Sequence, residues 1–83
     1  MMEKKDIADK VIQVLAEMLH RKPETIRMES TLRDDLEMDS FTAIEMLFQL
    51  EDQYGIEIPD EQVQTFRKVL DIVDYLETRL KRE

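Results

Sequence analysis

Apolar residues recur at α-helical spacing in three stretches of this 83-residue chain. Residues that end helices separate these stretches, namely the two prolines, Pro23 and Pro59, and the single glycine, Gly55. The sequence therefore predicts an all-α fold, a small three-to-four-helix bundle, in a single domain that covers residues 1–83.

The apolar stripes and helix-capping residues set the predicted boundaries. The predicted helices run from Glu3 to about His20, from about Ser40 to Tyr54, from Asp60 to about Thr65 and from about Lys68 to Leu80. The long loop between helices one and two, residues 21–39, exceeds what a helix bundle usually needs. We expect it to be held by apolar anchors at Ile26, Met28, Leu32 and Leu36.

The acidic residues are concentrated in one part of the chain. The formal net charge is −8, which opposes binding to nucleic acid or to an anionic membrane surface. Ten acidic residues lie between Asp34 and Phe66, a segment without lysine or arginine that we call the acidic window. This window is either a solvated face that keeps the protein in solution or a docking surface for basic partners. We favour docking because the segregation of charge is complete.

Other features of the sequence limit where in the cell the protein is expected. With no cysteine, the chain has neither disulfides nor a thiolate metal site. It has no apolar run long enough to cross a bilayer, and its first residues lack the apolar segment of a signal peptide. We therefore expect a cytoplasmic monomer without stable membrane insertion.

The second predicted helix carries more apolar residues than one face can hold. Ala43, Met46, Leu47, Leu50 and Tyr54 form a stripe suited to a core. Phe41, Ile44 and Phe48 form a second stripe, which we call the ridge, with Glu45, Glu51 and Asp52 around it. The helix is either buried on most sides or exposes the ridge to a partner groove with basic edges. We favour the second interpretation because small bundles rarely bury a helix all round.

Ser40 stands where the acidic loop meets this helix, and Asp39 can cap the helix. Nothing in the sequence makes Ser40 a nucleophile, since there is no Gly-x-Ser-x-Gly elbow and one histidine. That histidine, His20, is better explained as a charge partner of the first helix's carboxyl end. Ser40 is thus predicted to be an attachment point, and the chain is not expected to be an enzyme.

The run from Asp35 to Phe41, with Ile44-Glu45-Met46 and then the segment from Tyr54 to Glu61, resembles an acyl carrier protein over nearly the whole chain. The resemblance implies a phosphopantetheine arm joined to Ser40 by a phosphodiester, with acyl or aminoacyl groups held as thioesters on the arm's thiol. Asp39 would help to position the serine, or complete the metal site, while a phosphopantetheinyl transferase attaches the arm.

The resemblance also gives roles to the other residues of the second helix. Basic patches of synthase, ligase or transferase enzymes would meet Glu45, Glu51 and Asp52, with Phe41, Ile44 and Phe48 on the apolar ridge. A core lined by Met46, Leu50 and Ile58 would part to shelter the acyl chain. The implied function is transport of acyl intermediates in fatty acid or related lipid and secondary-metabolite biosynthesis.

Several positions depart from the family pattern. Thr42 replaces a common acidic residue, Glu37 a common glycine, Phe41 a leucine and Lys68 a threonine. Phenylalanine after the serine also occurs in D-alanyl carrier proteins. A D-alanyl carrier, or another aminoacyl or peptidyl carrier, is therefore an alternative.

Two further alternatives come from other classes. A calcium-binding EF-hand loop starting at Asp35 fails, because its sixth position is Ser40 instead of glycine and its twelfth is Met46 instead of glutamate. An unmodified helical adaptor would bind partners through the ridge and the acidic face, with Ser40 serving only in the helix cap.

Overall fold

The computed structural model describes residues 3–81, and their architecture is all-α, as predicted. The four helices are α1 (Lys4–Leu19), α2 (Ser40–Tyr54), α3 (Asp60–Val63) and α4 (Val69–Lys81), and a single 3₁₀ turn occupies Pro23–Thr25. The bounds predicted for α2 are correct, and those for α1 and α4 differ by one residue at each end. The prediction for α3 was too long, since Gln64 and Thr65 form a turn.

Local chemistry explains where the two long helices end. α1 ends at Leu19 and is capped by His20, which has a left-handed backbone (φ 58°) and donates its N–H to the Ala16 carbonyl. α2 ends at Tyr54 and is capped by Gly55 (φ 64°), whose N–H donates to the Glu51 carbonyl at 2.8 Å. Glycine reaches this conformation without the steric cost that a side chain imposes.

The core lies where α1 packs against both α4 and α2, while α3 packs against α2. Each long helix buries one stripe at helical spacing, which removes that stripe from water and supplies the main stabilisation. The largest fully buried side chains are Ile7, Val11, Leu15, Met46, Leu47, Leu50, Val69, Ile72, Val73 and Leu76.

The long loop is tied down by side chains and by its backbone. Ile26, Leu32 and Leu36 are buried as predicted, and Met28 is half-buried against the core. The loop backbone also pairs with the start of α4. Leu32 N–H donates to the Arg67 carbonyl at 2.8 Å, and Val69 N–H donates to the Ser30 carbonyl at 3.1 Å. The loop is therefore an ordered crossover.

Candidate functional site

Ser40 is the first residue of α2, and its side chain is exposed. The first amides of a helix have no intrahelical acceptors, and the helix dipole places partial positive charge at this end. A negative group joined to the Ser40 hydroxyl would therefore lie in a favourable field.

Asp39 caps α2, as predicted. Its Oδ1 accepts hydrogen bonds of 2.8 Å from both the Thr42 N–H and the Thr42 hydroxyl. The Thr42 amide, followed by its hydroxyl, holds the pKa of Asp39 below its usual value. The carboxylate is thus charged and directed at Thr42, where it orients the first turn instead of activating Ser40.

The segment before Ser40 is held in place at several points. Met38 is buried, although the sequence analysis did not identify it as an anchor, and its N–H donates to the Leu32 carbonyl at 2.9 Å. Thr31 and Asp35 exchange two hydrogen bonds of 2.9 Å through their side chains and amides. Because both sides of this turn are fixed, Ser40 is presented outward on an ordered backbone.

Within residues 3–81, no side chain is hydrogen-bonded to the Ser40 hydroxyl and no metal cluster forms. His20 lies at the carboxyl end of α1, exposed, in the place expected of a charge partner for that helix end. No group of three potential metal ligands comes together in this part of the chain. Two oxygens of the rejected calcium loop, Asp35 Oδ2 and Asp39 Oδ1, are already bonded to Thr31 and Thr42.

The ridge is exposed at its two aromatic residues. Phe41 and Phe48 are 71% and 59% exposed, whereas Ile44 is half-buried. Glu45 and Asp52 are exposed as well. Phe41, Glu45, Phe48 and Asp52 follow one another at intervals of four, three and four residues, so they share one line along α2. This line alternates aromatic and acidic side chains.

Glu51 differs from the other acids beside the ridge. It is half-buried, and its Oε2 accepts a hydrogen bond of 2.7 Å from the Ile58 amide. This bond fixes the connector between α2 and α3, residues 55–59, against α2. Glu51 therefore has a structural role that the sequence analysis missed, because Ile58 lies beyond the end of α2 and bonds through its backbone amide, which no side-chain pattern indicates.

The three residues predicted to line an acyl pocket all lie in the hydrophobic core. Met46, Leu50 and Ile58 are 0%, 1% and 4% exposed and belong to one buried cluster. Beside Ile58 the surface carries an open depression lined also by Tyr75 and Arg79.

Tyr75 and Arg79 form a pair of interacting polar side chains at this depression. The sequence analysis did not identify this pair. Arg79 Nη1 donates to the Glu57 carbonyl at 2.8 Å and to the Tyr75 hydroxyl at 2.7 Å. The Arg79 guanidinium lies 5.7 Å from the centre of the Tyr75 ring. The four-residue spacing of Tyr75 and Arg79 on one helix was the available signal.

Comparisons with known proteins agree with this geometry. The phosphopantetheine attachment site family matches residues 9–76. An acyl carrier protein of Thermosynechococcus vestitus is 32% identical over 79 residues, covering 95% of this chain and 98% of the relative. An acyl carrier protein of Wolinella succinogenes is 39% identical, and the match covers 87% of this chain and 95% of the relative. An acyl carrier protein of Clostridium perfringens is 40% identical, and the match covers 82% of this chain and 90% of the relative.

The fold, the site and these relatives define a phosphopantetheine-dependent carrier. The chain belongs to the acyl carrier protein family, as the resemblance of its motifs indicated. Its cofactor is phosphopantetheine, and its role is that of a carrier instead of a catalyst. No helix within residues 3–81 is long and apolar enough to span a membrane.

Proposed function

We propose that Ser40 is the residue that bears the phosphopantetheine arm, through a phosphodiester to its hydroxyl. The observation that carries this proposal is the exposure of Ser40 at the first position of a fifteen-residue helix. The other serine of the chain, Ser30, is buried, and its Oγ accepts a hydrogen bond from the Arg27 amide at 2.9 Å. Of the two serines, only Ser40 is both accessible to a transferase and placed at the amino end of a helix.

The residues around Ser40 suit a phosphodiester, and their roles are positioning and electrostatic. The amino end of α2 stabilises the negative charge, and Asp39 keeps the first turn ordered through its two bonds to Thr42. The attached group supplies a terminal thiol that holds acyl groups as thioesters. A separate phosphopantetheinyl transferase brings magnesium, coenzyme A and the base that takes the Ser40 proton. The Ser40 oxygen displaces adenosine 3′,5′-bisphosphate from coenzyme A as the phosphodiester forms.

The core offers shelter for the cargo. Met46, Leu50 and Ile58 are fully apolar side chains from α2 and the connector, and methionine repacks at low cost. Parting this region would bury an acyl chain, which gains about 0.8 kcal/mol for each buried methylene. The transported groups are acyl intermediates of fatty acid or related lipid and secondary-metabolite biosynthesis.

Partner enzymes dock on the exposed line of α2. Phe41 and Phe48, with Ile44 beside them, enter apolar pockets, while Glu45 and Asp52 meet basic residues at the rim. Glu51 contributes charge from the edge while it holds Ile58. The carrier acts as a monomer in the cytoplasm, with residues 1–83 forming one domain.

A mass measurement tests the attachment residue. The purified chain is incubated with coenzyme A and a promiscuous transferase, and its intact mass is measured. We expect the mass to rise by one phosphopantetheinyl group, Ser40→Ala to abolish the rise, and Ser30→Ala to retain it. A rise that persists in Ser40→Ala contradicts the assignment, and an unchanged mass in the unaltered chain favours the unmodified adaptor that the exposed Phe41 and Phe48 would also serve.

The aminoacyl alternative is tested on the loaded carrier. Phe41, Thr42 and Glu37 stand where fatty acid carriers commonly have other residues, which supports a specialised pathway. Loading the arm through purified fatty acyl ligases and, separately, D-alanyl ligases distinguishes the two functions. Faster transfer of D-alanine than of any fatty acyl group favours the aminoacyl carrier.

A further inference from the structure

Among residues 3–81, the hydroxyl of Tyr54 has no hydrogen-bond partner. Its oxygen is buried and makes no hydrogen bond to any residue in the part of the chain that the structure describes. Leaving such a group unpaired raises the unfolding equilibrium constant by roughly tenfold or more. Unpaired buried groups are rare in native proteins, and each one calls for a physical reason.

Tyr54 lies on the stripe of α2 that faces the core. Leu50 and Met46 precede it by four and eight residues, which places them about 6 and 12 Å along the helix axis. Side chains of a helix lean toward its amino end, so the Tyr54 ring extends toward the turn of Leu50. The ring packs against the same hydrophobic cluster that contains Met46, Leu50 and Ile58.

The core-facing stripe of α2 offers the hydroxyl no partner. The other residues of that stripe, Ala43, Met46, Leu47 and Leu50, have side chains without a strong hydrogen-bond acceptor. Burial raises the pKa of Tyr54, so the phenol remains protonated and able to donate. The Tyr75 hydroxyl differs, because it accepts a hydrogen bond from Arg79 at 2.7 Å.

We propose that the Tyr54 hydroxyl binds an oxygen atom of the sheltered acyl cargo, so that the core prefers chains bearing a ketone or hydroxyl group over saturated chains. This inference rests on the proposed function, since it requires cargo that enters the core from the arm on Ser40. A saturated chain in the same space leaves the hydroxyl unpaired, whereas an oxygenated chain satisfies it.

A double-mutant cycle tests the pairing. The arm is loaded with an octanoyl group through a stable amide, and with isomers of that chain carrying a single ketone at successive positions. Intact mass first verifies that each group is attached at Ser40. The unfolding equilibrium constant in urea is then measured for the unaltered chain, for Tyr54→Phe and for the matched control Tyr75→Phe.

We expect at least one ketone position to lower the unfolding constant about fivefold more, relative to octanoyl, in the unaltered chain than in Tyr54→Phe. Tyr75→Phe should keep the full ketone effect. Without cargo, Tyr54→Phe should unfold less readily than the unaltered chain, because it removes an unpaired buried hydroxyl.

Three results would overturn the inference. One is a ketone effect of the same size in Tyr54→Phe for every isomer, and a second is an equal loss of that effect in Tyr75→Phe. The third is a less stable Tyr54→Phe without cargo, which would show that a bound water already pairs the hydroxyl. A chain that acquires no arm at Ser40 overturns the proposed function as well, and the mass measurement separates that outcome from the other three.

Discussion

At the scale of single residues, the approach to Ser40 combines a sterically costly backbone with a well-formed helix cap. Glu37 adopts a left-handed conformation (φ 57°), although it has a side chain. Two residues later, Asp39 bonds both the amide and the hydroxyl of Thr42. The hydrogen bonds on either side hold Glu37 in this conformation, which costs about 1 kcal/mol.

Replacing Glu37 with glycine should therefore stabilise the protein. Glycine adopts positive φ without a Cβ clash, but it also adds freedom to the unfolded chain, so Glu37→Gly should raise the free energy of unfolding by a net of about 0.5 kcal/mol in urea denaturation. Glu29→Gly is the matched control, because Glu29 is exposed in the same loop and has no positive φ. There glycine should destabilise by adding freedom to the unfolded chain. Equal changes in both variants would contradict strain at Glu37.

The cap at Asp39 should make stability depend on acidic pH. Its folded pKa lies below the unfolded value of about 3.9, so the carboxylate stabilises the fold fully above about pH 4. That contribution disappears as the pH falls through the lower folded pKa. Asp39→Asn has no proton to gain, so its melting temperature should decline less across this acidic range. The melting temperatures are measured by calorimetry at each pH. Equal declines with falling pH in the two proteins would disprove a link between the Asp39 cap and acid stability.

At the scale of elements, α2 has one face that packs into the core and one face that is exposed to solvent. Met46, Leu47 and Leu50 are at most 1% exposed, whereas Phe41 and Phe48 lie largely in water. Aromatic side chains that lie largely in water add little to the stability of the helix that carries them. The apolar content of α2 therefore divides into a structural stripe and a surface suited to binding.

Paired alanine variants on α2 separate these two faces. Leu50→Ala should lower the free energy of unfolding by about 2–5 kcal/mol, because it leaves a cavity in the core. Phe48→Ala should change it by no more than about 0.5 kcal/mol, as expected for an exposed site. Guanidinium denaturation followed by circular dichroism gives both values. Losses of similar size would mean that Phe48 supports the fold.

Some elements were predictable because their ends have local causes. The bounds of α2 follow from Asp39 and Gly55, each of which satisfies backbone groups at one end of the helix. α3 was predicted too long because Gln64 and Thr65 include neither proline nor glycine, yet the amide and the hydroxyl of Thr65 both donate to the Gln62 carbonyl in a turn. The pairing of Leu32 with Arg67 was not predictable, since backbone hydrogen bonds need no particular side chain.

At the scale of the whole molecule, charge is distributed less simply than it is along the chain. Arg79 lies outside the acidic window in sequence, but its guanidinium reaches the Glu57 carbonyl within that window. Lys4 pairs with Asp74 at 2.8 Å and so joins the amino end of α1 to α4. The exposed acids of the acidic window are spread over the loop before α2, α2 itself and the segment around α3, and those of α2 are Glu45 and Asp52.

Association with a transferase should therefore weaken as salt rises. At about 0.1 M ionic strength, charges separated by more than about 10 Å are screened, so the association rate constant measured by stopped flow should fall as salt is added. The double variant Glu45→Gln, Asp52→Asn should start slower and show a shallower dependence on salt. Phe48→Ala should instead speed dissociation at every salt concentration and keep the original slope, because an apolar contact is not screened. An unchanged slope in the double variant would mean that the steering charge lies elsewhere, and the docking surface would have to be reassigned away from α2.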